Sequence, residues 1–506
     1  MARPMLVSAF ALALLAYSSV AFAEIVEHHF HVKNVTINRL CHEQFITTVN
    51  GEFPGPTIEV YEGDTLVVHV FNESPYNITI HWHGVFQLRS GWADGPNYVT
   101  QCPILPGNKY IYRFTITGEW WNSSIMEIER QALADGHGPN VSNAYTINGL
   151  LGDLYNCSSD GTYKLKVVPG KTYLLRIINA ALNNQIFFKI ASHTMTVVAV
   201  DASYTNPMLT DTIVITPGQS VDVLLTADQP LASYYMAAHA YDSLGAAFDE
   251  TTTRGIIMYE NATTSSAPLM PTLPAFNDTS LAFHFYSNLT SLVNAPHWAP
   301  VPLEVDKNMF VTVGLALTPC EANNTCGAPL GLAFAACMNN ESFELPTKLS
   351  MLEASFYNLT TGIYTADFPS SPSVVFDYTN TSLGLDTSLV MTSRSTKVTK
   401  LKFNTTVQIV FQNTALVSKE NHPIHLHGYN FYVLAQGFGN YDPLTGPTMF
   451  NLVNPQKRNT LGVPVGGWAV IRFTANNPGT FSLLDLYTSF SFNNTFIYLR
   501  ILCTIK

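Results

Sequence analysis

The stretch Asn421–Phe431, which reads N-H-P-I-H-L-H-G-Y-N-F, decides how the rest of the chain is interpreted. It contains three histidines within six residues: His422, His425 and His427. Successive side chains of an extended strand alternate between its two faces. The imidazoles of His425 and His427 should therefore point to the same side, and His422, three residues before His425, should face elsewhere. The pattern predicts two neighbouring ligands on one face of a strand.

A second pair of histidines, His81 and His83, lies far upstream in the sequence I-H-W-H-G-V-F. Taken alone, this pair would be interpreted as two ordinary strand histidines. Both pairs have the form H-x-H, however, and both end in glycine. Because imidazole is the commonest metal ligand in proteins, we expect the two pairs to form opposite sides of one metal site.

Length and composition indicate a secreted protein with several domains. The 506 residues suggest about three domains. Hydrophobic residues make up 47% of the chain and charged residues 12%, as in a β-rich extracellular protein. The net charge of −11, without any run of lysine or arginine, argues against nucleic acid as a partner.

The segment Met1–Ala23 has the pattern of a secretory signal peptide. A membrane anchor is the alternative, but the apolar run from Met5 to Leu15 is too short to span a bilayer. About fifteen N-x-S/T sequons, which mark surface loops of secreted chains, support export. The seven cysteines include no C-x-x-C pair, so scattered disulfides are expected rather than a zinc ribbon or a redox motif. We expect a secreted, extracellular glycoprotein.

Short apolar and β-branched runs recur every 8–12 residues between Gly and Pro turns, the pattern of a sandwich or barrel. The phrase V-P-G-K-T at 168–172 recurs loosely as T-P-G-Q-S at 216–220 and predicts a repeated strand–turn–strand unit. Few stretches are helical in pattern, and Ser124–Leu133 is the best short candidate. We predict an all-β chain divided as follows: signal peptide 1–23, first domain 24–144, second domain 145–260, a Pro-, Ser- and Thr-rich linker 261–300, and third domain 301–506.

The sequence that follows Gly84, V-F-Q-L-R-S-G-W-A-D-G-P-N-Y-V-T-Q-C-P-I-L-P-G, closely resembles the first copper motif of laccases. The stretch H-P-I-H-L-H-G-Y-N-F resembles the third motif, and F-N-L-V-N-P-Q-K-R-N-T further along is also similar to laccase sequence. The resemblance runs from Val26 to Gly479. The chain is therefore identified as a member of the multicopper oxidase family that is similar to plant laccases. Ascorbate-oxidase-type enzymes share that fold, but the flanking sequence is more similar to laccases.

The resemblance implies three cupredoxin-like β-sandwich domains and four coppers, held in the family by ten histidines and one cysteine. A type 1 copper lies in the third domain, and a trinuclear cluster of one type 2 and two type 3 coppers lies between the first and third domains. Carried over by motif, His81 and His425 would bind the type 2 copper. His83 and His427 would each bind a type 3 copper, and His422 would bind the type 1 copper.

Asp94, in the sequence W-A-D-G-P, matches a family carboxylate thought to help deliver protons during oxygen reduction. An ordinary turn aspartate before glycine is an equally good interpretation on local grounds.

The sequence departs from the family after the strand K-Y-I-Y-R-F-T-I-T. Members continue to a second motif of the type W-H-A-H, but here Thr117 runs directly into Gly118–Asn122, which resembles sequence that the family places several strands later. No histidine occurs between His83 and His137. We interpret the junction as an internal deletion of about 40–50 residues that truncates the first domain by several strands.

The C-terminus departs as well. After Gly479 the family continues to H-C-H, a further histidine and an axial Met or Leu, whereas this chain has no histidine after His427. Cys503 is the only late cysteine and lacks flanking histidines, so we do not predict it as a ligand. The tail resembles an alternative exon or translated non-coding sequence.

These departures leave a full ligand set only for the type 2 copper. The type 3 pair keeps two of six histidines, and the type 1 copper keeps one of three ligands with its thiolate gone. In the family, electrons pass from the type 1 copper through that cysteine to the cluster. Their route is broken here, although a histidine remnant should still bind some copper.

Two functions follow from the resemblance. The first is laccase activity, the copper-dependent one-electron oxidation of phenolics (lignin precursors or lignin-derived products) coupled to reduction of dioxygen to water, in the apoplast and with association to the cell wall. The alternative is a catalytically impaired pseudoenzyme or a mis-spliced laccase isoform with residual copper binding. Neither function involves nucleic acid or a membrane, and the sequence does not disclose the oligomeric state.

Other cysteines and histidines are assigned to the framework. The resemblance implies a disulfide between Cys41 and Cys157, and it implies that Cys102 has lost its usual C-terminal partner. The pair His29 and His31 lies near the predicted mature N-terminus and is expected on a strand surface. Because strands are missing, we also expect the first domain to be loosely held.

Overall fold

The structure, a computed structural model, describes residues 25–39, 42–53, 55–58, 60, 65–83, 85, 87, 90–115, 142, 144–154, 161–181, 184–242, 248–262, 267–320, 326–414, 416–485 and 496–502. The expectations for the signal peptide, for a helix at 124–133, and for Cys41, Cys157 and Cys503 fall outside these ranges. No helix in the described part of the chain is both long and apolar enough to cross a membrane.

The first domain contributes one four-stranded sheet in the described ranges, with the strand order β2-β1-β3-β4. Strand β1 pairs in parallel with β3 and antiparallel with β2, and β4 lies at the edge beside β3. The buried face of the sheet carries apolar side chains that pack with Trp82, while His29 and His31 are exposed on β1, as expected. The strands are β1 (Ile25–Arg39), β2 (His42–Val49), β3 (Thr65–Asn72) and β4 (Lys109–Thr115).

The second domain is a sandwich of two sheets with the orders β10-β7-β12-β13-β5 and β6-β11-β8-β9. The two similar phrases found in the sequence both form turns, one before β6 and one before β11, and these strands pair antiparallel. The strands are β5 (Lys164–Val167), β6 (Thr172–Ile178), β7 (Gln185–Ile190), β8 (Met195–Val200), β9 (Ser203–Thr210), β10 (Thr212–Ile215), β11 (Ser220–Thr226), β12 (Ser233–Tyr241) and β13 (Thr252–Tyr259).

The segment 261–300 is more than a linker, because it contains helix α1 (Thr279–Asn288). The side chain of Asp278 caps this helix by accepting a hydrogen bond of 3.0 Å from the amide of Leu281. Ala282, Phe285 and Leu289 follow at helical spacing and are buried in the core of the second domain. The abundance of Pro, Ser and Thr hid this short apolar stripe.

The third domain packs an eight-stranded sheet, β17-β16-β15-β14-β19-β24-β21-β22, against a five-stranded sheet, β18-β26-β25-β20-β23. The strands are β14 (Lys307–Thr318), β15 (Ala333–Met338), β16 (Glu341–Phe343), β17 (Ser393–Ser395), β18 (Val398–Lys402), β19 (Thr405–Asn413), β20 (His422–Leu426), β21 (Phe431–Phe438), β22 (Gln456–Arg458), β23 (Thr460–Val463), β24 (Gly467–Ala475), β25 (Gly479–Asp485) and β26 (Phe496–Leu502). Two short helices accompany them, α2 (Met351–Phe356) and α3 (Thr387–Val390).

The divergent C-terminal tail still completes a sheet. Strand β25 begins at Gly479, where the resemblance ends, and pairs with β20 and with β26. Phe481 and Leu483 are fully buried in the core of the third domain. The tail therefore supplies apolar packing next to the strand that carries the histidine cluster.

The described cysteines include one disulfide, between Cys320 and Cys326. Cys102 is a free, exposed thiol.

Candidate metal centre

The first histidine pair follows an extended segment that is anchored to the sheet of the first domain. The amide of Ile80 donates a hydrogen bond of 2.9 Å to the hydroxyl of Tyr112, a fully buried residue of β4. This contact ties the segment immediately before His81 to β4. The side chain of His81 is 25% exposed, whereas His83 is buried.

The second pair is carried by β20, a strand with neighbours on both sides. His422 and His425 lie on this strand, and His427 follows it directly. The amide of His427 donates a hydrogen bond of 2.9 Å to the carbonyl of Ser482. The register with β23 and β25 holds the histidines in a fully buried position, since all three are at most 2% exposed.

The two pairs lie against each other across the interface between the first and third domains. The ring centroids of His81 and His427 are 4.1 Å apart, and those of His83 and His425 are 4.0 Å apart. One ligand atom from each of His81, His425 and His427 lies within 4.8 Å of the others. The structure thus brings together four of the five histidines that the sequence singled out.

Hydrogen bonds to Nδ1 set the tautomers of two of these histidines. Nδ1 of His81 is 2.8 Å from the carbonyl oxygen of Asp94, and Nδ1 of His425 is 3.0 Å from the carbonyl oxygen of Asn459. A carbonyl oxygen only accepts, so each Nδ1 carries the proton and donates it. The lone pairs on Nε2 are then available for a metal ion.

Nδ1 of His427 faces a carboxylate instead. It lies 3.1 Å from Oδ2 of Asp94, a residue that is fully buried in the loop after the first pair. A proton on Nδ1 of His427 satisfies this contact and leaves Nε2 with its lone pair. Asp94 therefore contacts one histidine from each side of the site, His81 through its carbonyl oxygen and His427 through its carboxylate.

His83 adopts the opposite tautomer. Its Nε2 lies 2.8 Å from the carbonyl oxygen of Gly218 in the second domain, so Nε2 donates and the lone pair is on Nδ1. Asn459 and Gly218 were not singled out as site residues from the sequence. Asn459 lies in the laccase-like stretch F-N-L-V-N-P-Q-K-R-N-T, and Gly218 lies in the repeated turn T-P-G-Q-S.

Burial keeps the four imidazoles neutral. Desolvation, followed by repulsion from His427, lowers the pKa of His81 to about 3. Desolvation also lowers the pKa values of His83, His425 and His427. Neutral imidazole is the form that binds metal ions. Burial raises the pKa of Asp94 to about 6, against the opposing effect of the nearby histidines.

The site fits one copper ion. The Nε2 atoms of His81 and His427 are buried and have no hydrogen-bond partner, which is costly for a polar atom unless a ligand satisfies it. Three converging imidazoles are a suitable set for copper or zinc. A small cavity beside them is lined by His81, Val85, Asn459 and residues 425–430.

His422 stands apart from this group. Within the described ranges, the only cluster of three or more His, Cys, Asp or Glu side chains suited to a metal is that of His81, His425 and His427. A type 1 site also needs a thiolate, and the sequence has no cysteine between Cys337 and Cys503. The residues of the described chain therefore do not fit a full set of four coppers.

Comparison with known proteins gives a consistent assignment. Family models described as multicopper oxidase match residues 31–143, 113–262 and 367–483. Laccase-7 of Arabidopsis thaliana is 53% identical over 542 residues, which cover 96% of this chain and 94% of that protein. Laccase-9 of the same plant is 50% identical over 520 residues, which cover 92% of this chain and 88% of that protein. The alignment with Laccase-7 exceeds the 506 residues of this chain, so at least 36 of its positions have no counterpart here.

The fold is shared with solved laccase structures. The crystal structure of laccase from Botrytis aclada superposes with a TM-score of 0.71 at 24% identity, covering 96% of this chain and 89% of that chain. This likeness confirms the all-β, cupredoxin-like fold class predicted from the sequence.

Proposed function

This chain belongs to the multicopper oxidase family and is a laccase-type oxidoreductase, and on that basis we propose that its substrates are phenolic small molecules. The proposed reaction is their one-electron oxidation coupled to the reduction of dioxygen to water. Laccases in general act on phenolic substrates and dioxygen. Lignin precursors and lignin-derived phenols in the plant cell wall are the substrate class that a secreted member would meet.

The observation that carries this proposal is the meeting of four imidazoles between the first and third domains. His81 and His83 come from one domain and His425 and His427 from the other, so the site exists only when the domains are packed together. Copper, when bound there, supplies a one-electron redox couple. The protein's own contribution is to orient the imidazoles, to keep them neutral and to shield His83, His425 and His427 from water.

The roles proposed for individual residues follow the family pattern. By that pattern His81 and His425 would be type 2 ligands, His83 and His427 type 3 ligands, and His422 the remaining type 1 ligand. Their support here is burial together with the Nδ1 and Nε2 hydrogen bonds described above.

Asp94 is proposed as a positioning residue for His427 and, by resemblance, as a source of protons. We expect Asp94→Ala to weaken Cu(II) binding by about 10- to 100-fold, because a carboxylate behind a metal-binding histidine has an effect of that size. Asp94→Asn keeps an acceptor for Nδ1 of His427 and should restore most of the affinity. A role of Asp94 only in folding would not give this rescue.

The test of the function is an assay of the recombinant chain with a phenol such as 2,6-dimethoxyphenol, with oxygen uptake recorded and copper counted per chain. Oxygen uptake that depends on both the phenol and bound copper would establish the enzyme. Oxidation with no uptake of oxygen would contradict the coupled reaction.

A second candidate is a catalytically impaired laccase isoform, and specific observations favour it. The sequence contains no histidine after His427 and no cysteine close to His422 in the chain, and the comparison with Laccase-7 leaves at least 36 positions unmatched. Sequencing the transcript across codons 117–118 and 479–480 would test the isoform: both junctions in mature mRNA support it, and an intact second motif in the transcript would exclude it.

Secretion to the apoplast is part of the same proposal. The signal-peptide pattern of Met1–Ala23 and the many sequons support it. Detection of the tagged chain in the apoplastic wash fluid of plant tissue would test it, and retention inside cells would contradict it.

A further inference from the structure

We propose that this chain holds a single, mononuclear copper ion, bound by His81, His425 and His427, rather than the remnant of a trinuclear cluster. This inference rests on the proposed copper dependence of the chain, but it does not depend on turnover. It departs from the family pattern, in which His427 belongs with His83 on the type 3 coppers.

The grouping of ligand atoms carries the inference. One atom from each of His81, His425 and His427 lies within 4.8 Å of the other two. Three ligand atoms within that separation can reach one ion at ordinary copper–nitrogen distances of about 2 Å if each moves inward by less than about 1 Å. The buried Nε2 atoms of His81 and His427 have no hydrogen-bond partner that an ion would have to displace.

His83 is not a member of this group. Its Nε2 is engaged with the carbonyl oxygen of Gly218, and its ring stacks on that of His425 with an interplanar angle of 26°. In the described part of the chain, His83 belongs to no group of three or more His, Cys, Asp or Glu side chains suited to a metal ion, so its Nδ1 would hold a second ion alone. One imidazole does not hold copper against competing water and buffer, so a second ion is not expected to remain bound.

The remaining contacts preorganise the three ligands. His425 is fixed by Asn459 and by the hydroxyl of Thr460, which lies 2.9 Å from its Nδ1. Asp94 fixes the other two, through its carbonyl oxygen and its carboxylate. Each ligand thus has a partner behind it that determines which nitrogen faces the centre.

The test compares His427→Gln with His83→Gln, two variants of residues that the family pattern places in equivalent roles. The full chain is loaded with Cu(II), dialysed against a weak chelator and analysed for copper, and Cu(II) affinity is measured by competition. We expect one copper per chain in the wild type. His83→Gln should retain that copper with a loss of affinity below about tenfold, because only its ring contact with His425 is removed. His427→Gln should bind Cu(II) at least about 100-fold more weakly, since loss of a direct ligand exceeds the 10- to 100-fold effect of outer contacts.

Equal losses of copper in His83→Gln and His427→Gln, or two or more coppers per chain in the wild type, would overturn the proposal. Pulsed electron paramagnetic resonance of the wild type gives an independent test, because it does not depend on whether a variant folds. It should detect three coordinated imidazoles, and two would overturn the proposal. One bound copper without phenol oxidation would leave this inference standing while contradicting the proposed enzyme.

Discussion

The backbone geometry of the metal centre requires a glycine at one position, Gly95. It follows Asp94 and has a φ of +95°, a conformation that side chains other than glycine rarely adopt. A Cβ atom at this position would lie 1.8 Å from the carbonyl oxygen of Ile80, immediately before His81. The close approach of these two backbones is what places the Asp94 carbonyl oxygen against Nδ1 of His81.

The first prediction compares Gly95→Ala with Gly107→Ala. Gly107 also has a positive φ, of +79°, but a Cβ atom there meets nothing within 4 Å. Gly107→Ala should cost about 1–2 kcal/mol of unfolding free energy and leave copper binding unchanged. Gly95→Ala must also move the backbone, so it should cost more and weaken Cu(II) binding. Urea unfolding and copper titration would measure both, and equal effects of the two variants would contradict the account.

Some features of the metal centre could be predicted from the sequence, and others could not. The spacing of His425 and His427 and their likeness to the upstream pair were sufficient to predict that the imidazoles would meet. The tautomers could not be predicted, because they depend on carbonyl oxygens of Asn459 and Gly218 that only the packed domains bring into reach. Metal-site histidines are visible in sequence, but the backbone atoms behind them are not.

At the scale of one element, strand β12 carries a buried titratable side chain that lies away from the metal centre. His239 lies in the middle of the sheet of the second domain and is buried, with its ring 4.5 Å from that of Phe276. Desolvation lowers its pKa from 6.5 to about 4. The unfolded chain therefore binds a proton at His239 more readily than the folded chain does.

This shift predicts an acid-sensitive second domain. The contribution is fully present above pH 6.5 and is lost as the pH falls from about 6.5 towards 4, because protonation then favours the unfolded chain. Between pH 7 and pH 4.5 the loss due to His239 should be about 2–3 kcal/mol. His239→Gln removes this proton and should show a correspondingly smaller loss in urea unfolding at the two pH values. An identical pH dependence in both proteins would contradict the assignment.

The first domain is predicted to be the least stable of the three domains. Its described sheet ends at β4, whereas each of the other domains has two sheets. Ile111 on β4 is 49% exposed. Within the described ranges β4 has a neighbouring strand on one side only, and a domain with a single sheet makes few contacts that oppose local unfolding.

We therefore expect limited proteolysis to cut within residues 24–144 before it cuts the second domain. Mass spectrometry of the early fragments would locate the cuts. Equal resistance of the two regions would contradict this prediction.

The sheets of the second and third domains could be anticipated from periodicity alone, since short apolar runs alternate there with Gly and Pro turns. Helix α1 could not, because its apolar residues Ala282 and Phe285 lie within a segment whose composition resembles a linker. The pairing of β26 was also hidden, because the tail after Gly479 has no counterpart in the family pattern. Local composition is a poor guide to whether a segment is a linker or a helix when the helix is stabilised by packing against a neighbouring core.

At the scale of the whole molecule, a buried ion pair joins the second and third domains. Nε of Arg458 donates a hydrogen bond of 3.1 Å to Oδ2 of Asp201, and both side chains are at most 3% exposed. Nearby, the side-chain amide of Gln219 donates to the carbonyl oxygen of Thr460, the residue whose hydroxyl contacts His425. The interface therefore also supports the position of a metal-binding histidine.

Breaking this pair should loosen the interface and the site together. Asp201→Ala leaves the guanidinium of Arg458 buried without its carboxylate and should cost about 3–5 kcal/mol. The pair of Arg176 and Asp222 provides the control, because the Arg176 side chain is 63% exposed and stays solvated when its partner is removed, so Asp222→Ala should cost less than about 1 kcal/mol. Thermal unfolding of both variants would test this, and a loss no larger for Asp201→Ala than for the control would contradict it.

The central claim is that imidazoles of the first and third domains bind copper, and that the described part of the chain places no cysteine thiolate with them. The most direct measurement is the visible absorption spectrum of the copper-loaded protein, recorded with the copper content of the same sample. We predict bound copper without the intense blue thiolate-to-copper band, because the described chain has no cysteine placed with His422. An intense blue band would contradict the claim.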